Sequence, residues 1–295
     1  MQSTEVGELS RPSSINFAWR DFPWWLVAIV GFLVVMGYIL FAPGALNPET
    51  GERGENEFYK AFNFIAGGVG DLSDLQTFSM TDIVGTGISV TIYTTLVAFF
   101  FAMILGLLAG LGRVSSSVIL RNLATTYVEF VRGVPTLVLI FTVAFVLVPE
   151  TAELVGLENS APQNTRAIVA LAVIYGAYLA EIFRAGIESI PRGQMEAARS
   201  VGMSYQQAMR YIILPQAIRN IAPALGNDFI AMLKDSSLVS VLAVRDITQQ
   251  ARLYAGSSFR FRETYLVLTF LYLTMTLTLS LLLRWYEKRL RIDGR

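Results

Sequence analysis

The chain has 295 residues, 54% of them hydrophobic and only 16% charged, with 23 basic and 23 acidic side chains that cancel. A soluble domain of this size carries roughly a quarter charged residues, so this composition excludes an ordinary soluble domain, and zero net charge gives no bulk attraction for nucleic acid. Cys and His are both missing from the sequence, which excludes disulfides, thiolate chemistry and Ser-His-Asp catalysis and removes the commonest metal ligand.

The three lysines, Lys60, Lys234 and Lys288, close no G-x-x-x-x-G-K loop, so no Walker-type nucleotide site is expected. The chain reads as a non-enzyme with no cofactor and no metal. In chain order, residues 1–22 are polar and are expected to form a cytoplasmic N-terminal segment. Pro23, Trp24 and Trp25 open an apolar run to Ala42 with aromatic residues at the membrane interface. The run is longer than a usual signal-peptide h-region and reads as an uncleaved first span. Residues 43–82 hold Glu49, Glu52, Glu55, Glu57, Asp71, Asp74 and Asp82, which suits an external loop. Residues 23–82 thus form an extra span and loop ahead of a core expected over 83–284.

The second span, about 83–112, is rich in Gly and Thr, including Gly85, Thr86, Gly106 and Gly110. Small residues let helices approach closely in lipid, so packing is favoured over a ligand site. The third, about 123–148, is interrupted at Arg132-Gly133-Val134-Pro135 and precedes an acidic loop, 149–164, with Glu150, Glu153 and Glu158. The fourth, about 165–184, continues as helix towards Ile190. The fifth, about 217–244, holds Pro223, Gly226, Asp228, Lys234 and Asp235 and is the weakest by hydropathy. The last, about 263–283, leads into a basic cytoplasmic tail, 285–295, with Lys288, Arg289, Arg291 and Arg295.

The expected fold is an all-α polytopic membrane protein of about six transmembrane helices. The distribution of Arg and Lys places both termini in the cytoplasm of a bacterial inner (plasma) membrane. Residues 245–262 dissent, because Arg245, Arg252, Arg260 and Arg262 fall outside in this topology. Were the fifth run not to cross, the count would fall to five.

Between the fourth and fifth spans lies EAARSVGMSYQQAMRYIILP, residues 196–215. Two short helices joined by a glycine turn are expected there. Pro191 starts the first, and Glu196 is expected in its first turn, where the helix dipole favours a carboxylate. Ala197 and Ala198 offer a flat helical surface, and Gly202 can take positive φ and end the helix. Ser204 and Gln207 form a capping box that restarts a helix carrying Tyr205, Met209, Ile212 and Ile213, with Pro215 limiting its continuation. The product is an amphipathic cytoplasmic knuckle suited to a docked partner, or else a capped interfacial loop.

The order Glu196-Ala197-Ala198, three residues, Gly202, nine residues, Ile212-Ile213-Leu214-Pro215 resembles the EAA signature of type I ABC importer permeases. Three further words sharpen the likeness to the polar amino-acid (histidine, glutamine and glutamate) branch: VEFVRGVP at 128–135, YGAYLAEIFRAGIESIPRGQ at 175–194 and MLKDSSLVSVLAV at 232–244. The resemblance runs from about residue 83 to the C-terminus and implies a coupling role for Glu196, Ala197, Ala198, Gly202, Met203 and Tyr205. It also implies two cytoplasmic ABC ATPase subunits, a second permease subunit (homodimer or paralogue), an external amino-acid-binding protein, and uphill import by alternating access.

Charges inside spans default to functional candidates. Glu181, Arg184 and Glu188 can neutralise one another along one helix face, and Tyr178 shares the face of Glu181. Lys234 and Asp235 read either as a buried ion pair that fixes packing or, with Ser236 and Ser237, as lining of the path. Arg132 beside Gly133 and Pro135 can bend the third span and present freed backbone groups to a cavity. Rival readings are a type I permease for another solute, an ion-coupled secondary transporter and a membrane scaffold. The EAA order favours the first reading over these.

Overall fold

The computed structural model of the chain describes residues 24–44, 54, 56–66, 87–154 and 161–292. Outside the described residues lie the polar segment 1–22 with Pro23, most of the acidic loop (Glu49, Glu52, Glu55, Asp71, Asp74 and Asp82), residues 83–86 of the expected second span, Glu158, and the end of the tail, 293–295. Every regular element among the described residues is helical. These are α1 (Trp24–Phe41), α2 (Glu57–Ala66), α3 (Gly87–Val114), α4 (Val118–Gly133), α5 (Thr136–Leu154), α6 (Gln163–Glu188), α7 (Arg192–Ser200), α8 (205–235), α9 (Ile247–Ser258) and α10 (Phe261–Ile292). Among them α3, α5, α6 and α10 are each long and apolar enough to cross a bilayer, and α1 adds a shorter apolar helix. The chain is an all-α polytopic membrane protein.

Packing centres on α3 against α6. A Cβ on Gly106 would stand 2.7 Å from Leu179 Cβ, and one on Gly110 would stand 2.9 Å from the Ala180 carbonyl oxygen. The two backbones therefore meet with no side chain between them. In lipid, where no hydrophobic effect drives helices together, such contact supplies the dispersion and interhelical bonds that hold a bundle. The described Gly and Thr of this span pack between helices, as expected: Thr91, Thr94 and Thr95 are fully buried, with Thr95 donating to the Thr91 carbonyl at 2.8 Å and Thr94 to Asn164 Oδ1 at 2.6 Å.

The third run is broken where the sequence placed the break. Val134 is extended (φ −113, ψ 140) ahead of Pro135, the conformation that the proline ring imposes on its predecessor. α4 buries Val128 and Val131 and is pinned to α6 by the Tyr127 hydroxyl, which donates to the Val173 carbonyl at 2.6 Å.

Two π turns stand just before prolines: Val143–Leu147 before Pro149, and Met209–Ile213 before Pro215. A π turn adds a residue to the turn and loosens it, which accommodates a ring that would otherwise clash with the carbonyl four residues back. This corrects the expectation that Pro215 limits the helix. The chain runs from Tyr205 through the π turn into Leu214–Asp235 without a break, and the Gln216 side chain donates to the Ile212 carbonyl at 2.9 Å. The weak fifth run is likewise a continuous helix despite Pro223, tightening to a 3-10 segment over Ser236–Leu242. The start of the basic tail expected from residue 285 is helical as well. α10 continues through it, with the Arg289 guanidinium 4.2 Å from the centre of the Trp285 ring one turn earlier.

A second apolar cluster gathers α1, α2, α9 and α10 at one end of the bundle, built on Leu40, Ala61, Ile65, Ile247, Ala251, Val267 and Leu271. Here α9 lies between two residues in left-handed backbone, Ala243 (φ 58) and Phe259 (φ 57). They are the only non-glycine positions of that kind among the described residues, each costing about 1–2 kcal/mol. Asp246 caps α9, its Oδ1 accepting from the Gln249 N–H at 2.8 Å, while Thr91 Oγ1 accepts the Ile247 N–H at 3.1 Å.

Candidate coupling segment and translocation path

Between α6 and α8 the chain makes a self-capped knuckle. α7 starts after Pro191 and ends at Val201, where Gly202 takes φ +87. The Gly202 N–H donates to the Arg199 carbonyl at 3.0 Å and the Met203 N–H to the Ala198 carbonyl at 3.2 Å. That pair of bonds is a Schellman motif, and it needs a left-handed residue at this position. The next helix opens at once: Ser204 Oγ accepts from the Gln207 N–H at 3.2 Å, and Gln207 Oε1 accepts from the Ser204 N–H at 2.8 Å. The expected capping box is therefore formed. Glu196 departs from expectation. α7 begins at Arg192, which puts Glu196 in the second turn, and no acidic residue occupies the first.

Burial divides the knuckle into two faces. Ala198 and Ala208 are buried, and Met195, Met209 and Ile213 pack with Ile187, Ile190 and Ala217 from the ends of α6 and α8. Glu196, Ala197, Gly202 and Tyr205 are exposed and Met203 half-buried, beside Val201 at 77% exposure. This open side chain stands on a segment closed at both helix ends by its own caps.

Just before the knuckle, ionic contacts tie three helices. Arg113 of α3 reaches Glu181 of α6 at 2.6 Å and Glu129 of α4 at 3.6 Å. Along α6, Arg184 pairs with both Glu181 and Glu188, so the expected neutralisation along one face is formed. The contributions of Arg113 and Glu129 were not legible in the sequence, because pairing across helices has no periodic signal.

The candidate path residues do not make one constellation. Tyr178 is half-buried, its ring 5.8 Å from that of Tyr175. Tyr175 in turn donates to Asp235 Oδ2 at 2.9 Å, joining α6 to the end of α8. Lys234 is exposed and forms no ion pair with Asp235, which corrects the buried-pair reading. Asp235 is held by a phenol, and Lys234 is turned away on the helix surface. Ser236 is buried and donates to the Leu233 carbonyl at 2.7 Å, a local helix-end contact, and Ser237 is half-buried. Arg132 is exposed in the last turn of α4, beside the break.

Residues 102–292 match the family model described as binding-protein-dependent transport system inner membrane component. The "Probable amino-acid permease protein YxeN" of Bacillus subtilis is 40% identical over 204 residues, covering 68% of this chain and 88% of that protein. This chain belongs to that family. It is a membrane permease subunit of an ABC importer, a class that works with a separate ATPase subunit. The glutamine transport system permease protein GlnP of Escherichia coli is 34% identical to the permease, over 70% of this chain and 92% of that one. A crystal structure of an amino acid ABC transporter with histidines aligns with a TM-score of 0.62 and 39% identity, covering 75% of this chain and 99% of that one. In fold alone, a bacterial alginate importer covers 92% of this chain at 16% identity and a TM-score of 0.56.

Proposed function

We propose that this permease imports polar or charged amino acids by alternating access, with ATP hydrolysed on a partner subunit. The solute class is supported by relatives named for amino acids, among them YxeN, GlnP and the L-cystine permease TcyB of Bacillus subtilis, 35% identical over 74% of this chain. In this reading six crossings are made by α1, α3, the broken α4–α5 pair, α6, α8 and α10, with both termini in the cytoplasm of the inner membrane. Residues 1–22 form a cytoplasmic segment, 23–82 an added span and external loop, 83–284 the transporting core and 285–295 a basic tail. The knuckle, with Glu196, Ala197, Ala198, Gly202, Met203 and Tyr205, then lies in the cytoplasm between spans four and five and seats in the ATPase. A second permease copy or paralogue completes the path, two ATPases drive it, and an external amino-acid-binding protein delivers solute to the face bearing α2 and α9.

The observation that carries this reading is the knuckle's geometry. Both helices are capped internally, one face is anchored to α6 and α8, and the other is open. A push on such a body moves the spans rather than deforming a loop. Tyr178, Glu181, Arg132, Lys234, Asp235, Ser236 and Ser237 are proposed to line or support the path. Reconstitution with the ATPase and binding protein, followed by uptake of a panel of labelled amino acids, tests the proposal. Uptake that needs ATP and the binding protein is expected. Uptake driven by an ion gradient without ATP overturns it.

A further inference from the structure

We propose that α1–α2 is a brace on α9, with Asn56 as its rigid joint and the Glu57–Arg260 ion pair as its latch, and that the path opens on this face only when α9 swings clear of α2. The inference rests on the reading of this face as the outer mouth of an amino-acid importer. The family match begins at residue 102, beyond both helices of the brace, α1 and α2.

Asn56 makes the joint. Its amide donates to the carbonyls of Ile39 (2.6 Å), Leu40 (3.2 Å) and Ala42 (2.8 Å), groups at the end of α1 that lack helical donors. Its Oδ1 accepts the N–H groups of Phe58 (2.9 Å) and Tyr59 (3.4 Å), capping α2. One side chain thus closes the end of one helix and the start of the next, which fixes the angle between a membrane-embedded helix and the short helix it carries.

From that joint α2 presses its fully buried Ala61 and Ile65 against Ile247 and Ala251 of α9 and Val267 and Leu271 of α10. The Phe64 and Tyr254 rings meet at 5.2 Å, and the Ile65 carbonyl lies so close to Gly87 that any β-carbon there would collide with it. Glu57, which also reaches Lys60 at 3.6 Å on its own helix, meets Arg260 at 3.1 Å in the short link that follows α9 and leads into α10, with the Glu57 and Arg260 side chains 29% and 43% exposed. A pair this open is screened and weak, as suits a catch that has to release. Arg260 also belongs to the arginine-bearing segment 245–262, and Glu57 gives one of its charges a partner on the same face.

What the brace holds is a helix set between two strained turns. α9 lies between Ala243 and Phe259, both in left-handed backbone without being glycine; Ala243 closes the 3-10 segment before it, and Phe259 closes α9 itself, its N–H donating to the Ala255 carbonyl at 2.9 Å. Positions like these persist only where surrounding contacts impose them. The brace is among the contacts that hold α9 between these two turns.

The test uses the permease–ATPase complex in lipid vesicles, with the binding protein omitted or added. Glu57→Gln and Arg260→Gln should each raise ATP hydrolysis in the absence of binding protein by up to about five-fold, the factor a partly exposed ion pair supplies. The exchange Glu57→Arg with Arg260→Glu should return it towards the wild-type rate. Because the chain has no Cys, Phe64→Cys with Tyr254→Cys can be joined selectively by a short bifunctional thiol reagent. Linking should stop uptake, whereas the unlinked double variant and each single variant treated with reagent should transport. Unchanged idle hydrolysis in both latch variants, or undiminished uptake after linking, overturns the brace. Wild-type vesicles serve as the control for the functional reading. If they import no amino acid, that reading fails; if they import normally while latch and link have no effect, only the brace fails.

Discussion

Tyr175 and Asp235 are joined by a 2.9 Å hydrogen bond that spans from the middle of α6 to the last residue of α8. It ties the helix that precedes the knuckle to the far end of the helix that follows it, while Asn220 donates to Ser189 Oγ near the knuckle itself. Tyr175→Phe removes the donor and leaves a carboxylate facing an apolar ring. A lost bond to a charged group costs about 1.5–3 kcal/mol. The detergent-solubilised complex should therefore melt at a lower temperature, and uptake should fall more than ATP hydrolysis does.

Gly202→Val places a β-branched residue at φ +87, a conformation that such residues almost never adopt. The Schellman turn should open and the knuckle lose its shape. ATP hydrolysis should then proceed without matching uptake, at wild-type abundance in the membrane. Normal coupled transport in this variant would remove the knuckle's assigned role.

Gly106→Leu forces a side chain into backbone contact, where even a Cβ would stand 2.7 Å from Leu179 Cβ. Overpacking typically costs about 1–3 kcal/mol, and here no flexible neighbour is available to yield. Thermal unfolding should show the loss directly, with Gly106→Ala intermediate between the parent and the leucine variant.

Asp246 gives a pH signature. It is 1% exposed, Oδ2 lacks a hydrogen-bond partner among the described residues, and burial pushes its carboxyl up to about 7. The unfolded chain releases this proton near pH 4, so across that window the native state binds more protons. Its contribution to stability is full below about pH 4 and is lost as pH rises through about 7. Asp246→Asn keeps the Oδ1 cap and removes the charge. The melting temperature should then be higher at neutral pH and nearly flat across the window, where the parent declines.

Much of the site was legible because its signals are local. The capping box at Ser204 and Gln207, the left-handed Gly202 and the break ahead of Pro135 each depend on residues within a few positions of one another, and all three appear as expected. Where the sequence reading erred, the deciding partner was distant or the backbone chose a different register. Pro215 looked like a stop because a π turn has no sequence signature of comparable strength. Lys234 and Asp235 looked like a pair because they are neighbours, although adjacent helical residues point about 100° apart and Tyr175, sixty residues away, was the true partner of Asp235. The ties of Arg113 to Glu129 and Glu181, and the span of Asn56 from α1 to α2, were likewise invisible until the helices were assembled.

The meeting of α3 and α6 through Gly106 and Gly110 restricts how solute can pass. With main chains in contact, sliding either helix past the other would drive Cβ atoms and carbonyls into overlap, and pulling them apart would forfeit the close approach at Gly106 and Gly110. The two behave as a single body. Any gap wide enough for a solute has to appear at other seams, where pliable side chains meet instead of main chains.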